Sequence, residues 1–392
     1  MAAFRKTAAD VENAVRQRYS LSANGVQHDL CCPTSYDPKY LKAIPSEVIE
    51  RDYGCGDPSR HLREGETVLD LGSGTGKVCF IASQIVGPLG RVIGIDMNDD
   101  MLSVARRNAP EVARRVGCSN VDFRKGKIQD LALDLEALEL WLNAHPVRCS
   151  GDFSAMEGYI EEIKTRRPLV ASDSIDVVVS NCVLNLVQSS AKGTLFREIY
   201  RVLRPGGRAV ISDIVSDEEV PEHLQSDPEL WSGCISGAIR EDRFLEAFEA
   251  AGFYGVSILE RQRNPWRTVE GIEFRSVTVA AYKGKEGDCW DHKQAVIYKG
   301  PFKQVVDDDG HVLRRGARVA VCEKTFSLYS QEPYASHFEL VEPLARPSQE
   351  EARPFPCTNG MLLRDPKETK GQDYRLTTEA PPSSCRPNGG CC

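Results

Sequence analysis

The stretch Val68-Leu-Asp-Leu-Gly-Ser-Gly-Thr-Gly-Lys77 carries the decisive reading of the fold. An apolar strand runs into three glycines, Gly72, Gly74 and Gly76, and a helical pattern begins at Lys77. Glycines at such a turn let the backbone pass close to a ligand held at the helix N-terminus. Further along, the next strand ends in Asp96, a position from which an acid can bind ribose hydroxyls. The glycines are spaced GxGxG rather than GxGxxG, and an acid, Asp70, sits at the end of the strand. A carboxylate there repels pyrophosphate and suits the ammonium group of a methionine moiety. The motif therefore points to S-adenosylmethionine, with a dinucleotide or a purely structural turn as the other readings.

Outward from this turn, strands and helices alternate, the mark of a parallel doubly wound sheet. Strands are expected at Thr67–Asp70, Arg91–Asp96, Val121–Lys125, Ile175–Ser180 and Arg208–Ile214. Helices are expected at Lys77–Val86, Met101–Asn108, Ala191–Leu203 and Glu241–Ala251, the last closed by Gly252. Residues 1–60 read as an N-terminal arm carrying cysteines, with helices over Ala8–Arg18 and from Ser46 onward. The cofactor-binding domain is expected over 61–270. Its segment 131–173 is too long for a bare loop, and Leu131, Leu135, Leu138 and Leu142 mark one helical face of an inserted cover. A second short helix, Ser154–Thr165, completes that cover. From 271 to 345 the texture is β-rich and punctuated by Gly and Asp-Gly turns, a smaller second domain. Residues 346–392 read as an irregular tail containing cysteines.

The whole chain has 392 residues, 41% of them apolar and 27% charged, so a normal core is available without disulfides or a structural metal. A net charge of −8 argues against nucleic-acid or membrane-surface partners. No apolar run approaches the ~18 residues that span a bilayer, and the N-terminus lacks a signal-peptide core. A cytoplasmic location and a monomer are expected.

Other segments agree with the cofactor reading. Ile128 and Gln129, after the third strand, offer an apolar face and a polar edge to an adenine. Met97, next to Asp96, and Asn181, at the end of the fourth strand, complete the cofactor set with Tyr53, which either stacks near the sulfonium or packs in the core. The turn Arg201–Gly207 reads as a chain reversal.

The acceptor question rests on the 14 cysteines, which do not fall into zinc-ribbon spacing. Cys55 precedes the glycine-rich fold, Cys182 follows the fourth strand and Cys234 follows the fifth. Loops at this edge of an open sheet bind ligands, so three thiols can converge over the sulfonium methyl. Convergent thiolates suit a soft, thiophilic acceptor better than oxygen or nitrogen. The bland alternative is that each is a small buried apolar residue, the reading adopted for Cys79, Cys118 and Cys149. Cys289, Cys322 and Cys357 are read as structural, and Cys385, Cys391 and Cys392 as part of a dispensable end. His28, His61 and His145 read as surface or packing residues.

Taken together, YGCG at 53–56, VLDLGSGTGK at 68–77, IGIDM at 93–97, VVSNCVLNLV at 178–187 and FRSVTVAAYKG at 274–284 resemble the arsenite S-adenosylmethionine methyltransferases. The resemblance runs from about Asp29 to Pro343 and implies a Rossmann-like class I methyltransferase sheet, an α/β fold. It implies that Cys182 and Cys234 hold trivalent arsenic, and that Cys55 and a further thiol in the arm, Cys32 or Cys31, share in binding and in a disulfide formed during turnover. The chain departs from the family in having Asp52 before Tyr53, and in a longer insertion at 131–173. Thiolate-bound trivalent arsenic keeps a lone pair, so its attack on a methyl group releases no proton and needs no base. Methylation oxidises the arsenic, so electrons return from thiols, and a thioredoxin or glutathione reductant is implied. A methyltransferase acting on another small molecule, with the cysteines incidental, is the alternative.

Overall fold

The computed structural model describes residues 8–25, 27, 34–284, 287–357 and 360–370. Two compact units divide between Gly284 and Lys285.

In the first unit the expected alternation is realised as helix α1 (Ala8–Asn24), β1 (Thr67–Leu71), α2 (Lys77–Val86), β2 (Arg91–Asp96), α3 (Asp99–Val116), β3 (Val121–Lys125), α4 (Leu135–Ala144), α5 (Ser150–Arg166), β4 (Ile175–Asn181), α6 (Ser189–Val202), β5 (Leu203–Ser216), α7 (Pro228–Ser232), α8 (Glu241–Ala250), β6 (Tyr254–Arg261) and β7 (Ile272–Tyr282). The main sheet runs β3-β2-β1-β4-β5-β7-β6. Its first five strands are parallel and β7 is antiparallel to β5. Order reverses between β1 and β4, which opens a crevice at their carboxyl ends where ligands bind in such sheets.

Both faces are covered, because alternate side chains of a strand point to opposite layers. Leu69, Leu71, Ile93 and Ile95 pack with Leu195, Phe196, Ile199 and Phe248 on one side. Val68, Val92, Val177 and Val179 pack with Val78, Phe80, Ile81 and Leu102 on the other. A buried ion pair ties the lower edge: the Arg208 guanidinium donates to Glu66 at 2.6 and 3.1 Å and to the His61 carbonyl. Glu66→Gln leaves that charge buried without its counter-ion. Urea unfolding is expected to show about 3–5 kcal/mol of lost stability; an unchanged midpoint would remove the pair from the stabilising set.

Four expectations for the first unit are revised. The strand FRSVTVAAYKG does not open the second domain. It is β7, with Arg208↔Tyr282 through Ser216↔Phe274 in register against β5, so the β-rich unit begins about fourteen residues later than 271. Helix α3 continues through Pro110 to a left-handed cap at Gly117, because Val112 in its last turns packs into the core. In the insertion the two helices meet through Trp141, off the leucine stripe, which stacks on Tyr159 at 5.1 Å; of the four stripe leucines only Leu131, before the helix, is fully buried. Cys149 is exposed and caps α5 instead of packing inside. At the turn 201–207, Gly206 donates to the Lys283 carbonyl at 2.7 Å, so that segment holds strands together as a reversal should.

The second unit, taken by itself, is built on β8 (Ala295–Tyr298), β9 (Gln304–Val306), β10 (Val312–Arg314), β11 (Arg318–Ala320), helix α9 (Glu323–Tyr329) and β12 (Phe338–Val341). Strands β11-β8-β12 form an antiparallel sheet and β9 pairs β10. The tail expected to be irregular from 346 is ordered as far as it is described. Arg353–Pro354 pairs with Trp290–Asp291, and Arg364 donates to Asp291 at 2.6 Å and Glu368 at 2.7 Å. Cys385, Cys391 and Cys392 lie outside the described residues. No helix among the described residues is long and apolar enough to cross a membrane.

Candidate active site

The carboxyl ends of β1, β2 and β4 open into a cavity of about 280 Å³. Tyr53, Asp70, Gly72, Gly74, Asp96, Met97, Ile128, Gln129 and Asn181 all line it. The turn after β1 takes the left-handed conformations that glycine allows, with φ of +69° at Gly72 and +52° at Gly74. A Cβ on Gly74 would project into open space, so the backbone itself borders the cavity there. Beside it the Ser73 hydroxyl is buried with no hydrogen-bond partner, a group left for a ligand to satisfy. Ser73 was not singled out from sequence, where its only signal is its place between Gly72 and Gly74.

The acids explain which ligand fits. Asp96 accepts the Gly74 and Asn98 N–H groups, each at 2.8 Å, and burial raises its pKa nonetheless. Burial raises the pKa of Asp70 to about 7 against a 3.1 Å hydrogen bond from the Cys79 thiol, with Asp52 and Asp96 adding to the rise. Two desolvated carboxyls on one cavity are relieved by a cationic ligand and opposed by a pyrophosphate. The residues present thus fit S-adenosylmethionine, whose amino acid end is an ammonium, better than a dinucleotide.

Asn181 acts mainly as a clamp. Its side-chain oxygen accepts the N–H groups of Cys55 at 2.8 Å and Gly56 at 3.1 Å, while its amide donates to the Tyr36 hydroxyl and the Gly56 carbonyl, both at 2.8 Å. A Cβ on Gly54 would lie 2.1 Å from the Asn181 amide nitrogen, so only glycine lets the Cys55 loop approach β4 this closely.

That approach delivers the thiols. Cys55, Cys182 and Cys234 are all buried in one apolar cluster with Ile214, Val220, Leu224, Ile235 and Phe274. Cys182 also lines the cofactor cavity. Its N–H is tied to the Ser212 carbonyl at 2.8 Å, and the Cys234 thiol donates to the Cys182 carbonyl at 3.1 Å. Cys182 and Cys234 both hold positive φ, +63° and +61°. Such backbone strain in residues other than glycine is concentrated at functional sites.

Besides Ser73, two members of the site are not singled out by the sequence. The Cys55 and Cys182 sulfurs and a carboxylate oxygen of Asp213 lie within 4.8 Å of one another. Asp213 is fully buried on β5, and burial lifts its pKa to about 6 against the pull of the Ile214 N–H, of Lys192 and of the Leu184 N–H. An acid inside the apolar run Ala209–Val215 was the available signal. The second is Tyr19 on α1, which lines the cavity. Its hydroxyl is hydrogen-bonded to the Cys234 thiol, and burial followed by the Cys234 and Cys182 thiols pushes its pKa up. Tyr19 meets the Tyr53 ring edge-on at 6.2 Å, and the Tyr53 hydroxyl donates to the Ser22 carbonyl at 3.2 Å. Tyr53 is therefore both packed under α1 and exposed to the cavity. Cys32 and its neighbour Cys31 lie outside the described residues.

Comparison with known proteins agrees with this geometry. Residues 62–165 and 143–252 match a methyltransferase domain, and 285–374 match a domain of unknown function (DUF8838). The arsenite methyltransferase of Aquipseudomonas alcaligenes is 33% identical, over 83% of this chain and 88% of that protein. The human arsenite methyltransferase is 28% identical over 100% of this chain and 98% of its own. The crystal structure of an arsenic(III) S-adenosylmethionine methyltransferase from Chlamydomonas reinhardtii matches 82% of this chain and 99% of its own, with a TM-score of 0.54 and 28% identity. With the glycine-rich cavity and the thiol cluster joined at Cys182, the chain belongs to the arsenite S-adenosylmethionine methyltransferase family.

Proposed function

We propose that the protein methylates trivalent arsenic, as arsenite, methylarsenite or both, with the metalloid held by Cys55, Cys182 and Cys234. The observation that carries this reading is Cys182, which belongs to the cofactor cavity and to the buried thiol cluster at once. When bound, S-adenosylmethionine supplies a methyl group on a positively charged sulfur. Asp96 would accept its ribose hydroxyls, ionised Asp70 would face its ammonium, and Ile128 with Gln129 would border its adenine. Tyr19 on α1 and Tyr53 packed beneath that helix would exclude water from the space above the thiols.

Binding of arsenite exchanges three As–O bonds for three As–S bonds, and binding of methylarsenite exchanges its two As–O bonds for two As–S bonds, each thiol proton leaving with a hydroxide as water. Asp213 is placed to accept such a proton in transit from Cys55 or Cys182. The thiol-bound arsenic keeps its lone pair as the nucleophile, so its alignment by three fixed sulfurs does the work of catalysis, an effect of up to about 7–11 kcal/mol. Each methylation takes arsenic from the trivalent to the pentavalent state, and two thiols forming a disulfide return the two electrons. Cys32 is the proposed fourth thiol in that exchange, and thioredoxin or glutathione the proposed reductant. This reading keeps the enzyme in the reducing cytoplasm, acting as a monomer in arsenic detoxification.

An assay with labelled cofactor, a thiol reductant and arsenite or methylarsenite tests the proposal: methylated arsenic is expected, and labelled organic product without methylated arsenic would favour the other-substrate reading. Cofactor affinity adds a pH test. Asp70 binds an ammonium as its carboxylate, and with its pKa at about 7 it loses that form as pH falls. Calorimetry should show the affinity dropping about tenfold from about pH 8 to about pH 6. In Asp70→Asn the profile should be weak and flat; the same slope in the variant would contradict the assignment.

A further inference from the structure

The second unit contains three cysteines from separate parts of the chain whose sulfurs lie within 4.8 Å of one another: Cys289, Cys322 and Cys357. All three are present as thiols. Cys289 immediately precedes Trp290–Asp291, and Cys357 follows Arg353–Pro354, the segment paired with it. The Phe355 N–H donates to the Cys289 carbonyl at 2.8 Å, which fixes those two loops side by side. Cys322 is buried at the start of α9, where its sulfur accepts the Thr325 N–H at 3.4 Å. Ala320 and Phe355 supply an apolar wall.

Burial opposes ionisation of Cys289, but hydrogen bonds with the Cys357 and Cys322 thiols and the Lys324 ammonium outweigh it and lower its pKa. Cys357 is pushed up to about 12 by burial and by Cys289. A thiol whose ionisation is eased by its neighbours, flanked by two further thiols within 4.8 Å, is ready for a thiophilic centre. Three sulfurs suit trivalent arsenic, which is pyramidal and takes three ligands, whereas zinc in structural sites takes four.

We infer that Cys289, Cys322 and Cys357 form a second trithiolate site in the C-terminal unit, which binds trivalent arsenic apart from the methyl-transfer site. Only the choice of occupant rests on the proposed function. Arsenous acid would exchange three As–O bonds for three As–S bonds, with the three thiol protons leaving on hydroxide as three waters. Arsenic stays trivalent, so no oxidant or reductant takes part.

The test is thiol alkylation of the full-length, reduced protein with and without arsenite, followed residue by residue by peptide mass spectrometry. Arsenite should slow labelling of Cys289 and Cys357 about tenfold or more at saturation, both in the native protein and in the Cys182→Ser, Cys234→Ser double variant. Cys322→Ser keeps the helix cap and should abolish protection at Cys289 and Cys357 while Cys182 stays protected. Unchanged labelling of Cys289 and Cys357 beside a protected Cys182 would overturn the second site and leave the proposed function standing. Protection of this trio by zinc and not by arsenite would overturn it too. Loss of protection at Cys182 alone would instead count against the proposed function.

Discussion

Cys182→Ser should remove methylated arsenic from the product mixture while leaving the cofactor bound. The substitution swaps one sulfur for an oxygen of similar size at a residue that keeps its main-chain hydrogen bond to Ser212. Oxygen is a hard, hydrolysable ligand for arsenic, so the substrate loses one of three anchors and its lone pair is no longer aimed. Turnover should fall about a thousandfold, equivalent to about 4 kcal/mol at the transition state. Calorimetric cofactor affinity should change by less than about threefold, because the glycine-rich turn and both acids are untouched. Cys234→Ser should follow the same pattern. Arsenic methylation surviving in Cys182→Ser would show that the thiol cluster does not hold the acceptor.

The second large effect is expected at Gly72→Ala. Its φ of +69° disfavours a side chain, by about 1–2 kcal/mol. The added Cβ would also lie 2.4 Å from a Val183 methyl carbon, on the residue that follows Cys182. The turn after β1 must then separate from the loop after β4, which disturbs cofactor cavity and thiol cluster together. Cofactor affinity is expected to fall about a hundredfold, roughly 3 kcal/mol, with a lower unfolding temperature. Val183→Ala alone should bind nearly as the native protein does, and the Gly72→Ala, Val183→Ala double variant should recover part of the loss. No recovery would assign the defect to the backbone conformation of residue 72 instead of the contact.

The difference between what was legible in the sequence and what was not follows from the range of the forces involved. The turn after β1 is legible because left-handed backbone demands glycine, and glycine leaves a visible mark at Gly72, Gly74 and Gly76. The same conformation at Cys182 and Cys234 leaves none, since nothing in a cysteine announces it. Period and composition show that Ile272–Tyr282 is a strand, but strand partners are chosen by non-local pairing, and only the structure places it against β5. Its run Val277–Ala281, apolar except for Thr278, is what burial on both faces requires. Asp213 stands out as an acid in an apolar strand, yet its meaning depends on β4 and β5 lying side by side, with Cys55 brought over by the Asn181 clamp. Tyr19 reaches the thiols through α1 packing alone, where Asn98 holds the helix by donating to the Arg16 carbonyl at 3.0 Å. The cluster Cys289, Cys322 and Cys357 is a third case: residues that look incidental one by one become a group once the loops close.

The most direct measurement is a single turnover of methyl-labelled S-adenosylmethionine with enzyme in excess and arsenite present, quenched and resolved into arsenic species. The label should appear on arsenic in up to one equivalent per bound cofactor with the native thiols, and should remain on the cofactor when Cys182 or Cys234 is serine. Label transferred at the native rate in those variants, or found on a molecule other than arsenic, would contradict methyl transfer to a thiolate-held metalloid.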